Sequence, residues 1–368
     1  MRSSIRVVGV VVFLGVCGGL VSAQEGGPIG PSPYDVVEGW LKPFAGEGFA
    51  LGGNSGVFAE SPDRIFVLQR GETRLPNPVP PAFRGFVGSI GINALREAER
   101  RTWRNCIFVV DGEGNVIEIW DQWDYLFEGS DGPGPHRIRI SPYDAERRVW
   151  VVHETAHQIF VFSNDGRELL MTLGEKDVAG DDTTHFGKPQ DIAFLPDGRV
   201  LVADGYDNAR VIILDGEGNY VSEFGEPGDG PGQFNVVHSL AIGPDGLLFV
   251  ADRDNRRIQV FRESGMSEFE PVAQWGGFGL TLDIIVSGDS VWVSYLSPPK
   301  VTKLDLDGNW LYTWQLPTEG PTRFLEMHSF AIDSDGNLYG ADNQNGRTQK
   351  FVPKPNADPD LLIANEPR

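Results

Sequence analysis

The sequence predicts an all-β chain folded as a six-bladed β-propeller, with its last blade closed by an N-terminal strand. Three observations predict this. A unit of about 40 residues recurs along the chain, the period of a propeller blade. Each copy holds several short β-branched or aromatic runs, separated by turns such as Pro-Asp-Gly and Asp-Gly-Glu-Gly-Asn whose Gly and Asn tolerate positive φ. The final copy stops after three strands, near Phe351, while a matching strand stands alone near the start. Turn residues at this density exclude helical repeats.

In chain order, "MRSSIRVVGVVVFLGVCGGLVSAQ" has two arginines, an apolar run from Val7 to Val16 and "VSA" before Gln24. This is the pattern of a secretory signal over 1–23, cleaved after Ala23, and it predicts a secreted or periplasmic protein. The run is too short and too glycine-rich to span a membrane, and no later segment reaches the roughly 20 apolar residues a span needs. No membrane insertion is expected after cleavage, and Val16 is too bulky to favour a lipid anchor on Cys17. Next, "PYDVVEGWLKP" mimics "NYVSEFGEP" (Asn219 to Pro227), an outer strand of the third unit. Residues Val36 to Trp40 are therefore expected to pair with the final blade and leave no open edge.

Unit one, "GVFAESPDRIFVLQRG", is interrupted by an insertion at 71–104 and resumes with "CIFVVDGEGNVIEIW". The insertion has a Pro-rich part and a mixed-charge stretch, "NALREAERRTW", that could form a short helix. It reads either as a surface excursion or as a cover over one end of the channel. Unit two is "HRIRISPYDAERRVWVVHETAHQIFVFSNDGRELLMTLG" and unit three "KPQDIAFLPDGRVLVADGYDNARVIILDGEGNYVSEFG". Unit four opens with "NVVHSLAIGPDGLLFVADRDNRRIQVF", unit five is "LDIIVSGDSVWVSYLSPPKVTKLDLDGNWLYTW" and unit six is "HSFAIDSDGNLYGADNQNGRTQKF". The polar stretch 353–368 follows as a tail, so 24–352 reads as one propeller domain.

The 368 residues include 31 basic and 52 acidic side chains, a net charge of −21. Loss of the signal removes Arg2 and Arg6 and no acid, which takes the charge to −23. Such a surface repels phosphate backbones and anionic lipids, so nucleic acid is not an expected partner. A monomer acting on a small molecule or a peptide is expected instead. Of the two cysteines only Cys106 survives cleavage, which leaves no internal disulfide and makes the packed core the source of stability.

Three of the six histidines open alternate units: His136 in unit two, His238 in unit four and His328 in unit six. Units one, three and five offer Ser55, Gln190 and a residue near Leu282 at that place. A six-bladed ring turns by roughly 60° per blade, so alternate blades stand about 120° apart and their innermost strands face the channel. Three imidazoles at one height with threefold spacing have the geometry of a metal site. Zn2+ suits it, since Zn–N bonds of about 2.0–2.1 Å to three protein ligands leave a fourth position open for chemistry. His153, His157 and His185 read as turn or surface residues. The acidic turns lack the run of oxygen ligands of a calcium loop.

The weak pattern "LxVAD…NxRIxxF" resembles the NHL repeat, which builds six-bladed propellers. More specifically, "HFGKPQDIAF…VADGYDNARVI…GQFNVVHSLAI…VADRDNRRIQVF" resembles peptidyl-α-hydroxyglycine α-amidating lyase, a zinc-dependent propeller, over roughly Gly56 to Phe351. The resemblance implies zinc on His136, His238 and His328. It implies a catalytic tyrosine at Tyr206, in the "DGY" turn, and an essential arginine at Arg70 of "LQRG", thirteen residues after Val57. In that chemistry a tyrosinate, its pKa of about 10 pulled down by metal and guanidinium, takes the proton of a carbinolamide hydroxyl. Arg70 would lower the tyrosine's pKa or clamp a substrate carboxylate.

The sequence also departs from the family. An aspartate that binds structural Ca2+ just after the third histidine is replaced by Ser329, which removes that carboxylate. Asp207 stands where the family has a cysteine beside its tyrosine, so that disulfide is absent. No copper monooxygenase segment precedes the propeller, so a different substrate is open. The expected function is cleavage of an α-hydroxyglycine-like carbinolamide to an amide and glyoxylate. Alternatives are a zinc hydrolase of a lactone or ester and a non-enzymatic binding propeller.

Overall fold

The structure, a computed structural model, describes residues 27–130 and 132–363, with the backbone of 21–22. Among the described residues the strands form six blades of four antiparallel strands around an axis, and blades four and five each carry a fifth strand paired in parallel, Val21–Ser22 and Ile29–Gly30. Blade one comprises Asn54–Ser61, Arg64–Gln69, Ile107–Val110 and Val116–Ile119, and blade two Pro135–Ile140, Val149–His153, Gln158–Phe162 and Leu169–Leu173. Blade three runs Pro189–Phe194, Val200–Asp204, Arg210–Leu214 and Tyr220–Phe224. Blade four has Val237–Ile242, Leu248–Asp252, Arg257–Gly265 and Glu268–Trp275. Blade five has Leu280–Ser287, Ser290–Leu296, Lys300–Asp305 and Trp310–Gln315.

Blade six contributes Met327–Ile332, Leu338–Asp342 and Arg347–Pro353, and takes its outer strand from Tyr34–Val37. The expected closure is thus present with Val36 opposite Phe351, but the strand lies at 34–37 and not at 36–40. Trp40 lies beyond it and has a separate role: its ring meets Tyr339 at 5.1 Å and its indole N–H donates to the carbonyl of Gly112 at 2.9 Å. The tail folds back onto this blade, where the backbone N–H of Ile363 donates to the Tyr34 hydroxyl.

The apolar core follows the ring. A separate buried cluster fills each of the six junctions between neighbouring blades, with Trp120 between one and two, Trp150 between two and three, and Phe234 between three and four. Trp275 fills the junction of four and five, Trp292 with Trp314 that of five and six, and Trp40 with Tyr339 that of six and one. Strands buried on both faces explain the continuous apolar runs of the second and third strands, while the outer strands alternate.

The insertion joins the second and third strands of blade one, so it lies on the face where the innermost strands begin. Its Glu72–Arg74 and Arg101–Thr102 strands form a small sheet with Phe49–Leu51, which precedes blade one. The expected helix is not formed: only single 3-10 turns occur, at Val87–Ile90 and Ala98–Arg100, because this stretch is held by other parts of the chain. Ala94 N–H donates to the carbonyl of Gln344, Gly88 N–H to that of Asn345, and Arg101 to that of Gly132. The insertion therefore lies across blades six, one and two on this face.

The segment expected as a signal, with Cys17, lies outside the described residues apart from Val21–Ser22, whose backbone pairs in parallel with Ala273 and Gln274. Among the described residues no helix is long and apolar enough to cross a membrane.

Candidate metal centre

Each innermost strand has a break in its pairing register at the same place. The breaks fall at Ser55, His136, Gln190, His238, Leu282 and His328, each skipped between two paired residues. A β-bulge re-aims a side chain and frees its backbone groups from the ladder. In the even blades it turns an imidazole into the channel, and in the odd blades it leaves a carbonyl beside that imidazole.

The two sets meet. His136 Nδ1 bonds the carbonyl of Gln190 at 2.7 Å, His238 Nδ1 that of Leu282 at 2.7 Å and His328 Nδ1 that of Ser55 at 2.6 Å. A carbonyl only accepts, so each Nδ1 carries the hydrogen and each Nε2 keeps its lone pair free. The three rings stand 4.5 to 5.3 Å apart by centroid and steeply inclined to one another, and their ligating nitrogens lie within 4.8 Å of one another. All three are buried, and the Nε2 atoms of His136 and His238 have no hydrogen-bond partner. Burial holds all three pKa values well below the usual imidazole value. Neutral imidazoles with orphaned, converging lone pairs and donor-fixed tautomers fit a divalent ion.

Tyr206 stands over two of these rings, 6.1 Å from His136 and 6.0 Å from His238 by centroid. Gly205 makes this placement feasible, since a methyl there would collide with the carbonyl oxygen of Val237. The phenol oxygen accepts from Arg253 Nη1 at 2.7 Å, and the same guanidinium packs 4.9 Å from the ring centroid. Arg70 is buried and donates from Nη1 to Glu154 at 3.2 Å, while its Nε has no partner. The other Glu154 oxygen lies 3.4 Å from His136 Nε2.

The protein's own groups, taken without a metal, leave the tyrosine's pKa raised. Burial and Glu154 push Tyr206 up to about 12, and the opposing pull of Arg253 and Arg70 is weaker. The guanidinium on its oxygen also belongs to Arg253, whereas Arg70 is occupied by Glu154. Burial raises Glu154 as well, against Arg70. Nearby, burial pushes Glu326 up to about 7.

The structure therefore gathers His136, His238, His328, Tyr206 and Arg70 at one face, and adds Arg253 and Glu154. Both additions had a sequence signal: Arg70, Glu154 and Arg253 each directly follow the second strand of their unit. His153 is a correction, since it ends a strand and is buried, whereas His157 lies in the turn as read but is buried as well. His153 packs on Phe127 within the junction of blades one and two, its pKa driven down to about 3 by burial, and His157 Nδ1 accepts from the backbone of Lys188. His185 lies outside the core, paired with Asp182.

A family model described as "6-bladed beta-propeller" matches residues 180–268. A Caenorhabditis elegans protein named "Probable peptidyl-alpha-hydroxyglycine alpha-amidating lyase pgal-1" is 37% identical over 137 residues, 36% of this chain and 38% of its own length. A Drosophila melanogaster protein named "Peptidyl-alpha-hydroxyglycine alpha-amidating lyase 1" is 29% identical over 260 residues, 63% of this chain and 47% of its own length. The chain thus spans less than half the length of these relatives. Among solved structures, that of a streptogramin B lyase superposes with a TM-score of 0.52 over 87% of this chain and 98% of its own, at 12% identity, a likeness of fold alone. In fold the chain is a six-bladed β-propeller, and in sequence it is similar to proteins named peptidyl-α-hydroxyglycine α-amidating lyase.

Proposed function

We propose that this protein is an exported, zinc-dependent lyase that cleaves a peptidyl- or N-acyl-α-hydroxyglycine into an amide and glyoxylate. The observation that carries the reading is the convergence of three Nε2 lone pairs beneath Tyr206, in a chain similar to lyases of that name. His136, His238 and His328 would hold zinc, which when bound would supply Lewis acidity toward the substrate hydroxyl. The reaction moves one proton and breaks one bond: the hydroxyl gives up its proton, its electron pair forms the aldehyde carbonyl, and the carbon–nitrogen bond breaks toward nitrogen. The amide nitrogen takes up a proton and leaves.

The protein's own groups suit this sequence. Tyr206 holds and moves the hydroxyl proton, and Arg253, already donating to its oxygen, stabilises the phenolate form. Arg70 offers a donor without a partner in a buried setting, which suits a substrate carboxylate. The ring of buried side chains and the overlying insertion limit water at the site. The test is to incubate zinc-loaded protein with a hydroxylated N-acylglycine and measure glyoxylate and amide. Equal release supports the reading. Lactone or ester hydrolysis that survives Tyr206→Phe, with no glyoxylate formed, overturns it in favour of a metal hydrolase. Export rests on the signal-like stretch 1–23, and the N-terminus of the mature protein tests it.

A further inference from the structure

We propose that Arg137 is a positioning residue that sets the width of the channel at the histidine ring; the inference rests on the metal-site reading above. In a propeller each blade packs against its two neighbours, and here six apolar clusters fill the six junctions between adjacent blades. The six clusters between blades do not fix the distance across the axis, yet a three-histidine site depends on that distance.

Arg137 spans it. The residue follows His136 in blade two, and its side chain is fully buried. Nη1 donates to the carbonyl of His328 at 2.9 Å and Nη2 to that of Leu282 at 3.1 Å, tying blade two to blades six and five. Both acceptors sit at bulges. One belongs to a metal-ring histidine, and the other also takes the Nδ1 hydrogen of His238. A single guanidinium thus holds the backbone of His328 and the carbonyl that orients His238, while its own chain neighbour is His136.

The charges explain how a guanidinium can lie there. Arg137 stands 3.4 Å from Asp191 and 3.4 Å from Asp283, and Arg139 pairs with the same carboxylates at 2.9 Å each. Ser239 Oγ lies 2.8 Å from Asp191 and 2.9 Å from Asp283. Two cations and two anions form a neutral layer, which makes burial tolerable without deciding what the layer does. Its function lies in the forked geometry, which serves two carbonyls on different blades at once. Lysine keeps the charge but concentrates it at one point and lacks the planar fork.

Two variants separate positioning from charge balance. Arg137→Lys retains the neutral layer, and Arg137→Met combined with Asp283→Asn restores neutrality with one ion pair fewer, with Asp283→Asn alone as control. Zinc affinity is read by competition with a chromophoric chelator, and the Nδ1–H proton resonances of the ring histidines are read by NMR without added metal. We expect roughly a 10- to 100-fold loss of zinc affinity, the range for groups that orient metal ligands. Shifted or faster-exchanging signals for His238 and His328, with a smaller change at His136, should accompany it. A folded variant that binds zinc within about twofold of the parent and keeps both signals overturns the proposal, whatever its melting temperature. If the parent itself binds no zinc, the metal reading fails and the NMR signals alone decide the role of Arg137.

Discussion

Tyr206 owes its place to its neighbours more than to its own chemistry. Gly205 lets the turn approach Val237, and Arg253 arrives from the equivalent turn of the next blade to bond the phenol. With burial pushing its pKa up to about 12, the phenolate depends on whatever stabilises negative charge at the site. Tyr206→Phe should therefore lower kcat by about 100-fold or more while leaving stoichiometric zinc, the range for loss of a positioned proton-transfer group. Parallel metal analysis and glyoxylate assays check both halves. Cys106 gives a second expectation at this scale. It is buried, and burial followed by Asp124 holds its thiol pKa well above the usual value. Thiolate is the reactive form, so a disulfide reagent at pH 8 should leave Cys106 untouched in the native protein and titrate it fully after unfolding.

Among the elements, the bulge on each innermost strand and the closing strand of blade six matter most. The sequence shows that histidines alternate, and it even aligns them with Ser55, Gln190 and a residue near Leu282. It does not show that those three would be the acceptors, because this follows from a skipped pairing in every innermost strand. Strand boundaries were less legible: the closing strand ends at Val37, and Trp40, expected within it, caps the junction of blades six and one. Trp40→Ala removes a large aromatic from Tyr339 and an indole bond to Gly112, and should cost about 3–5 kcal/mol in denaturant unfolding. A change below about 1 kcal/mol would mean that the ring closes without it.

The whole molecule joins two kinds of contact. Six apolar clusters hold neighbouring blades, while bonds from Arg137 and Arg139 cross the axis. A bound ion at the histidine ring ties blades two, four and six together, so zinc should stabilise the native state by mass action. At a free concentration of 100 times Kd the gain is about 2.7 kcal/mol, read as a rise in melting temperature that a chelator reverses. His238→Ala should abolish that response, and a variant that still responded would place the ion elsewhere.

What the sequence determined by itself was everything that repeats. Blade number, turn chemistry, the alternation of His136, His238 and His328 and the missing outer strand are all periodic features, and a period can be read without coordinates. The tertiary structure decided what has no period. The carbonyls that set each histidine tautomer, the partnership of Arg253 with Tyr206, the burial of His153 and the reach of Arg137 across the channel each join residues from different blades. Only closure of the ring brings such residues within hydrogen-bonding or packing distance.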